Sequence, residues 1–296
     1  MNHLPPYLQE LEQEAIFIIR EAAAFEKTVL LYSIGKDSSV LLHLCQKAFF
    51  PNRIPFPALH IDTGYKFPEM YDFRDQITKE YNLNTLVFKS KKGASPEIEG
   101  RDLCCQILKT KALLDSLKSH QIQCAIGGAR RDEEKSRAKE RFFSQRDKYG
   151  QWNPRAQRPE FQSLFNTELN TDESMRAFPL SNWTEKDIWR YIQFENIKLV
   201  NLYFAQEREV IIQNNIILPT KYIKKEDIAG HQVQKISCRF RSLGCTPCTG
   251  AIQSKATTVA EIIEELEFNS FSERQSRAID KTSKTAMENK KKEGYF

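Results

Sequence analysis

The sequence predicts an α/β fold: a twisted parallel sheet with helices on both faces, followed by a C-terminal extension. Two observations predict it. Short apolar runs alternate with amphipathic stretches up to about residue 200, the pattern of strands joined by crossover helices. Three polar motifs, Ser33–Ser38, Asp62–Gly64 and Gly127–Asp132, each directly follow an apolar run. Ligands of parallel sheets bind beyond the carboxyl ends of the strands, so the three motifs are expected to converge on one crevice.

The elements follow in order. Tyr7–Phe25 places Leu8, Leu11, Ala15, Ile18, Ile19 and Ala22 at helical spacing and reads as an amphipathic helix. Thr28–Ser33 reads as a buried strand and Ser38–Phe50 as a helix. Phe56–Ile61 is a second strand, Phe67–Tyr81 a helix and Thr85–Phe88 a short strand. Cys105–Ser119 is helical, Ile122–Ile126 is a fourth strand and Met175–Leu180 a fifth. Thr184-Glu185-Lys186-Asp187 resembles a capping box ahead of the apolar face Ile188, Tyr191, Ile192. Trp183 and Trp189 read as packing residues. Gln213–Ser237 shows no clear period, and a last helix spans about Thr258–Phe268. Residues 1–200 are therefore read as one α/β domain. Residues 201–296 are read as an extension that carries Cys245 and Cys248 and folds back over the site.

Composition bounds the class. With 40% apolar and 28% charged residues among 296, the chain resembles an ordinary globular protein. No apolar run approaches the roughly 20 residues of a membrane span, and no basic-then-apolar leader opens the chain. No membrane association is expected, and the cytoplasm is the expected location, where the seven cysteines are not structural disulfides. A net charge of +5 suits a polyanionic substrate without announcing a nucleic-acid binder. Lys281, Lys284 and Lys290 to Lys292 read as a solvated basic tail.

Ser33-Ile34-Gly35-Lys36-Asp37-Ser38-Ser39 is the most informative stretch. It joins a strand to a helix, leaving backbone N–H groups and a helix N-terminus free for an anion. The Gly-x-x-x-x-Gly-Lys-Ser/Thr spacing is absent, so this is no Walker loop. Gly35 permits close approach of phosphate, Ser33, Ser38 and Ser39 offer hydroxyls, and Lys36 offers charge. Asp37 would repel phosphate unless Mg²⁺ lies between them. Asp62, Thr63 and Gly64 are candidates for the ribose or adenine edge, whereas His60 reads as a packed histidine. Arg130 and Arg131, beside Gly128 at a strand end, are candidates to clamp phosphate or sulfate, with Arg137 as a third. Lys135, Lys139 and Arg141 read as a solvated face, and Glu133 with Arg137 as an i,i+4 ion pair.

Cys104-Cys105 and Cys245-Thr246-Pro247-Cys248 form a CC plus CxxC set. Thiolates suit iron–sulfur or zinc, and adjacent cysteines more readily reach different irons of a cubane than one zinc ion. A [4Fe–4S] cluster is therefore expected ahead of zinc. Cys45 and Cys124 lie in apolar runs and read as core residues.

The loop pattern Ser-x-Gly-x-Asp-Ser resembles that of PP-loop ATP pyrophosphatases. The loop, His60–Gly64, Phe67–Arg74, Gly127–Arg141, the segment Phe178–Thr184, Asp187-Ile188-Trp189, Ser272–Gln275 and Gly294-Tyr295-Phe296 resemble the small-subunit family of bacterial sulfate adenylyltransferases. That family is grouped with phosphoadenylylsulfate reductases. The resemblance implies ATP as cofactor, attack of an acceptor oxyanion on its α-phosphorus, and loss of pyrophosphate. The cysteine set departs from this pattern. Leu243–Thr249 instead resembles the iron–sulfur segment of adenylylsulfate reductases. No cysteine follows Cys248 to act as the nucleophile of such a reductase. An ATP pyrophosphatase core, four cysteines and no catalytic tail resemble DNA phosphorothioation proteins. The expectation is thus an ATP pyrophosphatase serving sulfur incorporation into DNA. A cysteine desulfurase and other DNA-modification proteins would be its partners, with DNA reached through them. The alternatives are a sulfate adenylyltransferase small subunit, paired with a GTPase large subunit, and an adenylylsulfate reductase.

Overall fold

The computed structural model describes residues 3–268, apart from 134, 159, 162, 163 and 166. The basic tail, Ser272–Gln275 and the terminal Gly-Tyr-Phe lie outside the described residues. The first half comprises α1 (Pro6–Ala23), β1 (Thr28–Leu31), α2 (Lys36–Phe49), β2 (Ala58–Asp62), α3 (Pro68–Glu80) and β3 (Thr85–Lys89), then α4 (Arg101–Cys105), α5 (Ala112–Ser119) and β4 (Cys124–Ile126). Next come β5 (Phe143–Arg146), the short strands β6 (Glu160–Phe161) and β7 (Leu164–Phe165), β8 (Ser174–Ala177) and α6 (Glu185–Glu195). The remainder holds β9 (Gln206–Gln213), β10 (Ile216–Pro219), α7 (Lys225–Ile228), β11 (Gln234–Arg239), β12 (Ile252–Gln253) and α8 (Val259–Phe268).

The main sheet has six strands in the order β3-β2-β1-β4-β8-β5. Neighbours are parallel except β5, which runs antiparallel to β8. Strands β1 and β4 are buried at every position, as central strands covered on both faces must be. One face packs against Ala15, Ile18 and Ile19 of α1 and Val40, Leu41 and Leu44 of α2. On the other, Leu113 and Leu117 of α5 meet Val29, Leu31 and Ala125. The strand order turns back between β1 and β4, the switch point at which such sheets open a crevice. The expected parallel sheet with helices on both faces is therefore present.

Several details differ from the sequence reading. The helix expected from Cys105 starts at Arg101, and a π-helical turn over Gln106–Lys111 links α4 to α5. Strand β5, unpredicted, sits at the edge, where polar residues such as Gln145 and Arg146 hide the apolar pattern. The aperiodic stretch after residue 200 is a four-stranded antiparallel sheet, β10-β9-β11-β12. Its β9–β10 hairpin turns on Asn214 and Asn215, with φ of 51° and 59°, the left-handed pair of a tight hairpin that Asn tolerates well. Leu202, Tyr203, Val210, Phe240, Ile262 and Leu266 share the core cluster of α1 and α2.

Helix α6 starts as expected. The Thr184 side chain accepts from Asp187 N–H, and the Asp187 carboxylate accepts from Thr184 N–H at 2.9 Å. Trp183 and Trp189 are fully buried, edge-on to Tyr191 and Tyr203 respectively. Among the described residues no helix is long and apolar enough to cross a membrane.

Candidate functional site

The turn after β1 is strained. Ile34 has a φ of 70°, a left-handed conformation that is a genuine outlier for a β-branched residue. Its side chain is buried in the main core, which holds the turn in place. Such strain clusters at ligand-binding loops. Gly35 follows in extended conformation as the N-cap of α2, so the first amides of a 14-residue helix point at the crevice. Ser38 Oγ donates to Gly35 O at 2.9 Å and Ser33 Oγ to Ser38 Oγ at 3.2 Å. Ser39 is buried one residue further on.

The charged groups around this turn form a ring. Asp37 Oδ1 accepts from Arg130 Nε at 2.6 Å, and Asp37 Oδ2 lies 3.4 Å from Lys36 Nζ. Arg130 Nη1 reaches Asp132 Oδ2 at 3.5 Å, and the same oxygen accepts from Glu185 N–H at 3.1 Å. Glu185 Oε1 stands 4.0 Å from Lys36 Nζ, closing the circuit. Arg241 grips Glu185 from the C-terminal segment, with Nη2 at 2.6 Å from Oε2. Lys36 N–H donates to Tyr203 Oη at 2.7 Å. The side chains of Lys36 and Arg130 are each 1% exposed, whereas that of Asp37 is 24% exposed. Two buried cations thus flank one solvent-facing carboxylate, an arrangement suited to charge neutralisation around a polyphosphate and its metal ion.

Gly128 makes this approach possible. A Cβ there would sit 3.3 Å from the carbonyl carbon of Asp37 and 3.4 Å from Ser38 N. Since that contact is with backbone, Gly128→Ala is expected to push β4 from the loop. It should weaken nucleotide binding by roughly 10-fold, the scale of a 1.4 kcal/mol perturbation, as titration of an ATP analogue would measure.

The predicted arginines separate. Arg130 reaches the loop. Arg131 instead donates to Glu140 O and Asn182 Oδ1 and lies over the Phe142 ring. Arg137 makes the expected i,i+4 pair with Glu133 at 3.5 Å, but both side chains are largely buried and not on a solvated face. The second motif separates too. Asp62 Oδ1 accepts from Gly64 N–H and Tyr71 Oη. Burial raises the Asp62 pKa, but these bonds outweigh it and hold the carboxyl below its usual range. Gly64 has a φ of 75°, as this turn requires. Thr63 Oγ1 lies 3.2 Å from Cys245 Sγ and so faces the cysteines. His60 is packed: it contacts Tyr32 O, and burial first, then Lys66, pushes its pKa down to about 4.

The four singled-out cysteines come together although about 140 residues separate the two pairs. Cys104, Cys105, Cys245 and Cys248 are all buried, and the last three pack in one cluster with Tyr65. A bond with Cys105, and then burial, pushes the Cys248 thiol up. Burial, with Cys105 and Cys245 nearby, pushes Cys104 up to about 11. Thr246 N–H donates to Tyr65 O, tying the CxxC loop to the end of β2. Among the described residues, no group of three or more His, Cys, Asp or Glu is set to hold a metal ion. Cys45 and Cys124 are core residues, as read.

Asp132 lay inside a recognised motif, but Tyr203, Glu185 and Arg241 were missed as site residues. Glu185 was legible only as the first residue after a helix cap, and Tyr203 and Arg241 carry no local signal.

The family model for the phosphoadenosine phosphosulfate reductase domain matches residues 27–251. A protein named sulfate adenylyltransferase subunit 2 from Agrobacterium fabrum is 53% identical, over 99% of this chain and 94% of that one. Its namesake from Zymomonas mobilis is 51% identical over 98% of each. Among solved structures, a phosphoadenylyl-sulfate reductase from Candida auris aligns with 68% of this chain and 92% of that one, at 16% identity and a TM-score of 0.46. These relatives overturn the expectation of a DNA phosphorothioation protein served by a cysteine desulfurase. Half the residues along nearly the whole chain agree with proteins named for adenylyl transfer to sulfate, which outweighs a likeness carried by four cysteines.

Proposed function

The chain belongs to the phosphoadenosine phosphosulfate reductase domain family, and from that premise we propose that it is the adenylyl-transferring subunit of a sulfate adenylyltransferase. It is an ATP-using, adenylyl-transferring enzyme. In the proposed reaction a sulfate oxygen attacks the α-phosphorus of ATP. The bond from that phosphorus to the bridging oxygen breaks, and pyrophosphate leaves with the electron pair. Sulfate is already an anion, so little proton transfer is needed, and positioning and charge neutralisation dominate. The amides of α2, with Ser33 and Ser38, would hold the departing phosphates, while Lys36 and Arg130 neutralise their charge. Mg²⁺ bound with ATP would offset repulsion between the phosphates and Asp37.

The observation that carries this reading is the Lys36–Asp37–Arg130 cluster, set at the N-terminus of a helix beside Gly128. The relatives' name, subunit 2, supports assembly with another subunit, which we assign as a larger GTP-hydrolysing chain. Pyrophosphate release, measured with pyrophosphatase present to pull the reaction forward, should rise on adding sulfate. Release indifferent to sulfate would oppose the proposal.

We further propose that Cys104, Cys105, Cys245 and Cys248 hold a soft-metal group, [4Fe–4S] ahead of zinc. Their shared burial supports it. When bound, the group would brace the end of β2 against the C-terminal segment. Anaerobically purified protein should be brown and contain about four irons per chain. Colourless, metal-free protein would oppose the assignment.

A further inference from the structure

The far edge of the main sheet buries an arginine that no hydrogen bond satisfies. Arg176 of β8 is 1% exposed, and none of its three guanidinium nitrogens has a hydrogen-bond partner. Across the strand pair it faces Ser144, and two residues further along β5 stands Arg146, which is fully buried. Arg146 donates to Glu140 at 2.7 Å and to Ser144 Oγ at 2.6 Å, while its Nε has no partner. Glu133 pairs with Arg137 and Glu140 with Arg146; among the described residues Glu140 also acts on Arg176 through space, but no carboxylate hydrogen-bonds to it. Cys124 lies close enough to act on Arg176, but burial holds that thiol neutral, with its pKa pushed up to about 12. Burial first, and then Arg146, pushes the Arg176 pKa down to about 9, so it remains a cation at neutral pH. A buried guanidinium without a hydrogen bond costs several kcal/mol, and its planar fork of N–H donors matches an oxyanion bidentately.

The position fits a substrate. Arg176 lies one residue before the carboxyl end of β8 and beside Ala125 of β4. The chain leaves β4 through Gly127 and Gly128, which approaches Asp37. We propose that Arg176, supported by Arg146, binds a tetrahedral oxyanion at the edge of the crevice, and that this anion is the sulfate acceptor. Only the acceptor role rests on the function proposed above.

The test uses the full chain. Sodium sulfate and sodium selenate, compared with sodium chloride at equal ionic strength, should raise the melting temperature of the wild type. Arg176→Gln should lose that increment, and Arg176→Lys, which keeps the charge, should retain part of it. In turnover, Arg176→Gln should raise the KM for sulfate by about 10- to 100-fold, the range for one charge-assisted hydrogen bond, with the KM for ATP unchanged. A wild type that responds no more to sulfate than to chloride overturns the site, and needs no variant to fold. Sodium phosphate bound in preference to sulfate overturns the acceptor role. Sulfate binding through Arg176 without sulfate-dependent turnover leaves the site standing and removes the proposed function. Sulfate-dependent turnover unchanged in Arg176→Gln does the reverse.

Discussion

Asp37→Ala is expected to reduce pyrophosphate release from ATP by about 100-fold or more, in line with loss of one preorganised electrostatic group. Asp37 touches both Lys36 and Arg130. Removing it takes one carboxylate partner from each of those buried cations and takes away the group best placed to meet a nucleotide-bound Mg²⁺. Initial rates at saturating ATP and Mg²⁺ would measure the loss, and circular dichroism would check the fold. Asp37→Asn keeps the side chain's shape and should lose nearly as much, because the charge is what matters. A rate within a few-fold of wild type would remove the loop from the chemistry.

Glu185→Ala is expected to destabilise the fold by about 3–5 kcal/mol, the cost of leaving buried partner charges uncompensated. Glu185 is buried. It binds Arg241 through both oxygens and stands 4.0 Å from Lys36. It therefore ties the C-terminal segment and the start of α6 to the loop, and its loss should loosen all three. Urea denaturation would show the shift as a lower midpoint. An unchanged midpoint would mean that these contacts form no buried network.

The parallel core was legible because its strands are short apolar runs and its polar motifs stand where strands end. Ser33–Ser38 and Gly128 could be read directly, since strand, turn and helix follow one another in sequence. The antiparallel sheet was not, because only Val210 and Ile211 of β9 are buried and the rest of the strand is mostly polar. The Asn214-Asn215 pair was the signal that would have found its hairpin. Arg130, Arg131 and Arg137 look equivalent as residues in a charged run. Only the loop packed against each separates them: Asp37 for Arg130, Asn182 and Phe142 for Arg131, Glu133 for Arg137. Tyr203, Glu185 and Arg241 reach the site from elements distant in sequence, which no local pattern records. The cysteines show the opposite case. Their clustering was legible, whereas the function inferred from them was not, because four ligating side chains say nothing about which acceptor meets ATP.

Sulfate carrying oxygen-18 at all its positions provides the most direct test of adenylyl transfer. The protein, with MgATP and pyrophosphatase, should form adenylylsulfate whose mass retains every labelled oxygen, because a sulfate oxygen attacks phosphorus and no sulfur–oxygen bond breaks. Product lacking one label, or ATP cleavage to AMP and pyrophosphate with no labelled product at all, would contradict the account.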